Sequence, residues 1–158
     1  MANLTRDEIK RLEQAFVGND RDGTLVERFK NLVNNNTGCF GVTYTISAEG
    51  VPGADEITVS CQFTDADGDD MTSPVGVRQY LCTDSTGQVG EAAATTLAVG
   101  TDGTILVEET SNLIWTAVSE ADGDLDIVIG NAGGADTLHL VTIMPNGVLA
   151  ISAAITFA

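Results

Sequence analysis

Basic residues are almost missing from most of this 158-residue chain: after position 36 the only one is Arg78, set against 17 acids. A surface that negative has no patch with which to neutralise phosphates, so nucleic acid is excluded as a partner. Anionic membrane surfaces are disfavoured for the same reason. Histidine is as scarce. His139 stands alone inside the apolar run Leu138-His139-Leu140-Val141, where a strand histidine with a satisfied ring is the simplest reading. No Gly-x-Ser-x-Gly occurs, no Ser/His/Asp order is suggestive, and Gly130-Asn131-Ala132-Gly133-Gly134 opens no helix that could cradle a phosphate. No residue set nominates a reaction, and the expectation is a protein that is not an enzyme.

Other shortages narrow the class further. The three cysteines, Cys39, Cys61 and Cys82, form neither Cys-x-x-Cys nor any zinc-ligand spacing, and an odd number without an export signal reads as free thiols in a reducing compartment. Cys61 falls in an apolar strand phase and is expected in the core. No apolar run approaches the roughly 20 residues of a membrane span. The opening Met1-Ala2-Asn3-Leu4-Thr5-Arg6-Asp7-Glu8 is charged, unlike a signal peptide. Together these predict a soluble chain made in the cytoplasm.

The residues that are present divide near position 36. The first 36 positions hold six of the seven bases and six acids, a balance of zero, so the whole net charge of −16 belongs to residues 37–158. Thr5-Arg6-Asp7-Glu8 is a capping box followed by Ile9, Leu12 and Phe16 at helical spacing, and Gly18-Asn19 supplies a stop. Thr24-Leu25-Val26-Glu27 is a second box, with Phe29, Leu32 and Val33 behind it. Two helices of about 12 residues each are marginal alone and need a partner surface. Residues 1–36 therefore read as a helical arm, with Arg11, Leu12, Phe16, Phe29 and Lys30 as its candidate contacts. Asn34-Asn35-Asn36-Thr37-Gly38 reads as a polar linker.

From residue 39 the period changes to two. Val42, Tyr44, Ile46 and Ala48 alternate with polar residues, as do Ile57, Val59, Cys61 and Phe63. Further strands are predicted near Val75–Thr83, Thr104–Glu108, Leu113–Ser119, Leu125–Gly130, Thr137–Met144 and Val148–Phe157. Between them stand turn signals: Asp67-Gly68, Asp102-Gly103, Asp122-Gly123, Gly133-Gly134 and Pro145-Asn146-Gly147. The stretch Gln88–Val99 has no clear period and no assigned place. About eight short strands without intervening helices predict a mainly β fold, an immunoglobulin-like antiparallel β-sandwich over 37–158. The Cys…Trp…Cys spacing of antibody domains is absent, so the likeness is one of architecture.

Asp65-Ala66-Asp67-Gly68-Asp69-Asp70 gathers four carboxylates around a glycine. Calcium takes six to eight oxygens, and Asp65, Asp67, Asp69 and Asp70 are the candidate ligands. The spacing departs from a helix-loop-helix calcium loop, since Gly68 stands fourth rather than sixth and Gly76 replaces the bidentate twelfth residue. A solvated acidic turn is the other reading. Ala-Asp-Gly-Asp occurs at 66–69 and again at 121–124, and both copies read as hairpin turns.

The run Ile57–Ala158 resembles small β-sandwich proteins of tailed bacteriophages and prophages, often encoded near the major capsid gene. The resemblance rests on Ile57-Thr58-Val59-Ser60-Cys61-Gln62-Phe63-Thr64-Asp65-Ala66-Asp67-Gly68, on Val77-Arg78-Gln79-Tyr80-Leu81, on Thr101-Asp102-Gly103 and Val118-Ser119-Glu120-Ala121-Asp122-Gly123, and on the closing run Pro145 to Ala158. Those proteins look like head decoration, or cement, proteins. The resemblance implies a virion structural protein on the capsid outer surface that binds major capsid protein subunits. The acidic sandwich would project outward, while the arm and one edge of the sandwich meet the shell. Self-association into a homo-oligomer, a trimer at local three-fold axes, would bury helix faces that a monomer exposes. Two rivals stand beside it. A carbohydrate- or host-surface-binding module would favour exposed aromatics, and the chain has only eight aromatics, of which Phe63, Trp115 and Phe157 read as core. A tail-tube or tail-fibre component would form rings of six.

Overall fold

The computed structural model describes Cys39 and residues 41–50, 55–88, 93–132 and 136–158. The helical arm, its contact residues and the Gly133-Gly134 turn lie outside them. All the described regular structure is β. Ten strands run in order: β1 (Gly41–Ile46), β2 (Glu56–Thr64), β3 (Gly76–Cys82), β4 (Thr96–Val99), β5 (Thr104–Thr110), β6 (Ile114–Val118), β7 (Asp124–Gly130), β8 (Asp136–Ile143), β9 (Leu149–Ile151) and β10 (Ile155–Phe157). They form two antiparallel sheets. One has four strands in the order β1-β2-β7-β4, and the other runs β10-β8-β3-β6-β5 with β9 also on β8. The mainly β expectation holds.

Period-two sequence explains the core directly. In β2, Ile57, Val59, Cys61 and Phe63 are buried while the residues between them face out. Leu125, Ile127 and Ile129 of β7 sit beside them, and Val77, Leu81, Trp115, Ala117, Leu138, Leu140, Ile155 and Phe157 close over them from the other sheet. Each large apolar side chain taken from water contributes about 1.5–3 kcal/mol. One polar side chain shares this interior. Gln79 of β3 is fully buried. Its Oε1 accepts from Trp115 Nε1 at 3.0 Å, and its Nε2 donates to Thr142 Oγ1 at 3.0 Å and to Cys61 Sγ at 3.7 Å. Strands β3, β6, β8 and β2 are thereby joined through one amide. Tyr44 Oη, donating to the Ala150 carbonyl at 3.1 Å, is a second tie between the sheets.

Three expectations need correction. The unplaced stretch 88–99 contains a real strand, β4, whose four residues are too few to display a period. The single strand expected over Val148–Phe157 is two. β9 pairs with Val141–Ile143 and β10 with Asp136–Leu138, and Ser152 interrupts them because its Oγ, rather than a backbone carbonyl, accepts from Leu140 N at 2.9 Å. The second Ala-Asp-Gly-Asp turn is no hairpin. It carries the chain from β6 in one sheet to β7 in the other, as Asp102-Gly103 carries it from β4 to β5. Hydrophobic pairing with distant strands, not turn chemistry, chooses the sheet in which the next strand lies. The first copy does fold back locally, with Thr64 bridging to Asp70.

Candidate partner interface

The crossings β2→β3, β4→β5 and β6→β7 fall at one end of the sandwich, and each carries aspartates. Asp126 N donates to the Asp102 carbonyl at 2.9 Å, and Asp124 is the register partner of Gln62. Partial burial and then the charges of Asp122, Asp102, Asp126 and Asp70 push the Asp124 carboxyl above the ordinary carboxylate range. The folded protein thus holds this proton more tightly than the unfolded chain. The group favours folding while protonated, and that contribution is lost as pH rises through its folded value. At neutral pH ionised Asp124 opposes folding. Asp124→Asn should therefore raise the melting temperature at pH 7, more in about 20 mM than in about 500 mM NaCl, because salt screens the neighbouring carboxylates. Thermal melts of both proteins at the two salt levels check this, and an equal gain at both would assign the effect to burial alone.

The four candidate calcium ligands stand at this end without forming a common ligand set. Asp65 turns its carboxylate back on its own loop, where Oδ1 accepts from Asp67 N at 2.8 Å and Asp69 N at 3.2 Å. Among the described residues no three His, Cys, Asp or Glu side chains are grouped so as to hold a metal ion. His139 sits half-buried in β8 with Nδ1 3.1 Å from the Ser152 carbonyl, to which it donates. The three cysteines are free and buried. Burial pushes the Cys61 thiol up to about 12 and that of Cys39 up to about 11, so neither offers a thiolate at neutral pH.

The two outward faces of the sandwich differ in kind. On the four-stranded sheet, outward positions carry Thr43, Thr45, Thr58, Ser60, Gln62, Asp124 and Asp126, with Val128 and Ala98 as the apolar members, mostly the hydrated face expected of an antiparallel sheet. On the six-stranded sheet the outward positions are largely apolar. Following the register, Val107 lies beside Thr116, Thr116 beside Arg78, Arg78 beside Ile143 and Ile143 beside Leu149. One such row crosses the sheet from edge to edge. A second, parallel row runs Thr110, Ile114, Tyr80, Val141, Ile151. Its neighbour on the inner side contains Trp115, Gln79 and Thr142, all fully buried, so alternation places both rows outward.

A turn covers Val141 and Ile151 of the second row. Asp84 holds it closed, its Oδ1 accepting from Thr86 N at 2.8 Å and its carbonyl from Cys82 Sγ at 3.0 Å. Gly87, at φ +71°, presses on the sheet so closely that a Cβ there would stand 3.1 Å from Ile151 and 3.3 Å from Val141. Tyr80 Oη fastens the turn by donating to the Gly87 carbonyl at 2.6 Å. Beside it remains an open depression of about 290 Å³ lined by Arg78, Tyr80, Gly87, Gln88, Ile114 and Ile143. Arg78 pairs with Glu109, whose carboxylate also accepts from Thr116 Oγ1 at 2.7 Å. That hydroxyl above all holds the Glu109 carboxyl below its ordinary range, against an opposing push from desolvation, with the Arg78 guanidinium adding to the lowering. Four large hydrophobics stand exposed at the margins of this sheet: Leu106 and Val107 on β5, with Val148 and Leu149 at β9.

Sequence reasoning placed candidate partner contacts on the arm, outside the described residues, and on one sandwich edge, and did not single out this face. A signal was present. Leu138–Ile143 carries apolar residues in both phases of the alternation, Leu138 and Leu140 in one and Val141 and Ile143 in the other, as befits a strand covered on both sides. No protein-family model matches the chain, and no curated protein matches it.

Proposed function

We propose that this chain is a non-enzymatic structural protein that decorates a protein shell by docking the outer face of its six-stranded sheet. The observation that carries the reading is the outward row Val107–Thr116–Arg78–Ile143–Leu149, continuous across the sheet, with three apolar side chains and its one charge paired with Glu109, opposite a face dominated by hydroxyls and carboxylates. Among the described residues, exposed Val107 and Leu149 flank part-exposed Ile143 and Ile114, and contiguous apolar side chains at a surface mark places where something binds. A flat, open face suits a protein surface better than a small substrate, which favours deep concave pockets.

The finer reading follows the resemblance. The shell would be a phage capsid built of major capsid protein, with the acidic outer sheet turned to solvent on the virion exterior. An immunoglobulin-like assignment draws support from strand order. β1-β2-β7 facing β8-β3 has the A-B-E over F-C arrangement of such domains. The β5–β6 hairpin extends that second sheet in the reverse of the usual order, a departure within the class. The arm of residues 1–36 would add a second anchor or join copies into an oligomer.

Co-sedimentation of the full-length chain with expanded, undecorated shells tests the reading. Ile143→Asp should weaken binding by about tenfold or more, because it removes an apolar wall of the depression and sets a second carboxylate beside Arg78, one more than that guanidinium neutralises. Its melting temperature should stay within a few degrees of the parent, since Ile143 is already part-exposed. Leu12→Asp with Phe16→Asp examines the arm in the same assay. Shells that bind neither parent nor variant would sink the proposal, and so would shells that bind both equally.

A further inference from the structure

We infer that two copies of this chain join along β1, antiparallel about a two-fold axis at Tyr44, so that their two four-stranded sheets become one. The pairing leaves the outer face of the six-stranded sheet unused and is independent of what docks there.

Backbone polarity is the first ground. β1 ends its sheet, and among the described residues no strand lies on its far side. Ser47 N donates to the Thr58 carbonyl at 2.9 Å, so by alternation Gly41, Thr43 and Thr45 are the residues that exchange hydrogen bonds with β2. The N–H and C=O groups of Val42, Tyr44 and Ile46 therefore point away from β2, a row ready for another strand. Native sheets blunt such edges, and the other described edges here are blunted. β5 carries two register shifts together with Glu108 and Glu109. β4 is four residues long, and the β9–β10 edge is split at Ser152 into two strands of three. β1 has six residues in unbroken register, with no proline, bulge or charge.

Sequence symmetry is the second ground, and it names the occupant. Val42-Thr43-Tyr44-Thr45-Ile46 reads nearly the same in either direction. Antiparallel pairing centred on Tyr44 sets Val42 beside Ile46 of the second copy, Thr43 beside its Thr45, and the two Tyr44 residues side by side. Such a contact is self-complementary, as a two-fold axis requires. Val42, Tyr44 and Ile46 then exchange about six backbone hydrogen bonds across the axis. Their side chains already pack part-buried against the core, and the second strand covers more of them. Thr43 and Thr45 are exposed and fall in the closely spaced pairs, where threonine meets threonine well. No charged side chain lies within Gly41–Ser47, so two copies at −16 each meet here without opposed carboxylates in contact.

Sedimentation of the full chain over a concentration series tests this. The parent should form dimers, about tenfold or more tighter in about 500 mM than in about 20 mM NaCl, because salt screens the mutual repulsion of two acidic domains. Thr43→Lys/Thr45→Lys should weaken the dimer about tenfold although it lowers the net charge, because it sets lysine against lysine twice across the axis. Thr43→Lys/Thr45→Glu sets lysine against glutamate instead and should dimerise at least as well as the parent. Amide hydrogen exchange on the parent needs no variant. The Val42, Tyr44 and Ile46 amides should exchange faster on dilution, while those of Thr43 and Thr45 stay protected. A chain that is a trimer, or a monomer up to about 1 mM, would overturn the inference. So would dimers indifferent to the lysine pair, dimers weakened equally by both threonine variants, or exchange at Val42, Tyr44 and Ile46 that ignores dilution. Dimers lost in Leu12→Asp/Phe16→Asp but kept in both threonine variants would assign the association to the arm and overturn it as well.

Discussion

Gln79→Leu should cost about 3 kcal/mol of folding stability, although it keeps the side chain's volume and adds apolar surface. The cost comes from what the substitution orphans. Trp115 Nε1–H loses its acceptor, Thr142 Oγ1 loses a donor, and both lie at 0 % exposure where water cannot replace the amide. A buried polar group left without a partner costs about 1–3 kcal/mol, and here two are affected. The chain's single tryptophan is itself the reporter, so its fluorescence during urea unfolding reads the loss directly. Trp115→Phe provides the control. On that background no indole N–H remains to be orphaned, and Gln79→Leu should cost about 1–2 kcal/mol less than it does alone. Measured by circular dichroism, additive costs would show that the amide does not depend on the indole, and the network would then carry no cooperative weight.

Gly123→Ala should be nearly as damaging, at about 3 kcal/mol, and its meaning lies in comparison with Gly68→Ala. Both glycines follow an aspartate in an Ala-Asp-Gly-Asp sequence, and both adopt positive φ, +91° and +85°. The backbone penalty for a side chain in that region is about 1 kcal/mol or somewhat more and applies to both. Their surroundings differ. A Cβ on Gly68 would meet nothing within 4 Å, whereas one on Gly123 would stand 2.7 Å from the Phe63 carbonyl and 3.0 Å from Met71 Cβ. The Gly123 carbonyl also accepts from Phe63 N at 3.0 Å, so relief by backbone movement would break the contact that ties this crossing to β2. Gly68→Ala should therefore lose about 1 kcal/mol, and denaturant midpoints for the two proteins should separate clearly. Equal losses would show that the β6–β7 crossing can shift as freely as the exposed loop.

These two substitutions mark where sequence reading succeeds and where it stops. The Ala-Asp-Gly-Asp repeat announces two tight turns, and both exist, because glycine at positive φ is a local requirement. Nothing local says that residues 121–124 pass between sheets while 65–70 folds back on itself. The alternation in Ile57–Phe63 places Cys61 in the core correctly. The same alternation puts Gln79 inward, between Val77 and Leu81, but its partners come from positions 36 and 63 residues further on. β4 escaped notice because four residues cannot establish a period. The break at Ser152 escaped because a serine hydroxyl occupying a ladder position looks like any other polar residue in a strand.

The candidate interface was the least legible feature. Arg78, Tyr80, Ile114 and Ile143 come from three strands dispersed over 66 positions and meet only through pairing register. By itself the sequence determined the mainly β class, most strands, most of the turn positions, the burial of Cys61 and the confinement of charge to residues 37–158. Each of these is a property of neighbours along the chain or of composition. Tertiary structure alone decided which sheet each strand joins, that Gln79 is enclosed with its partners, and that one outward face is hydrated while the other is apolar. Those outcomes depend on long-range strand pairing, in which a shift of one residue would turn every side chain to the opposite face.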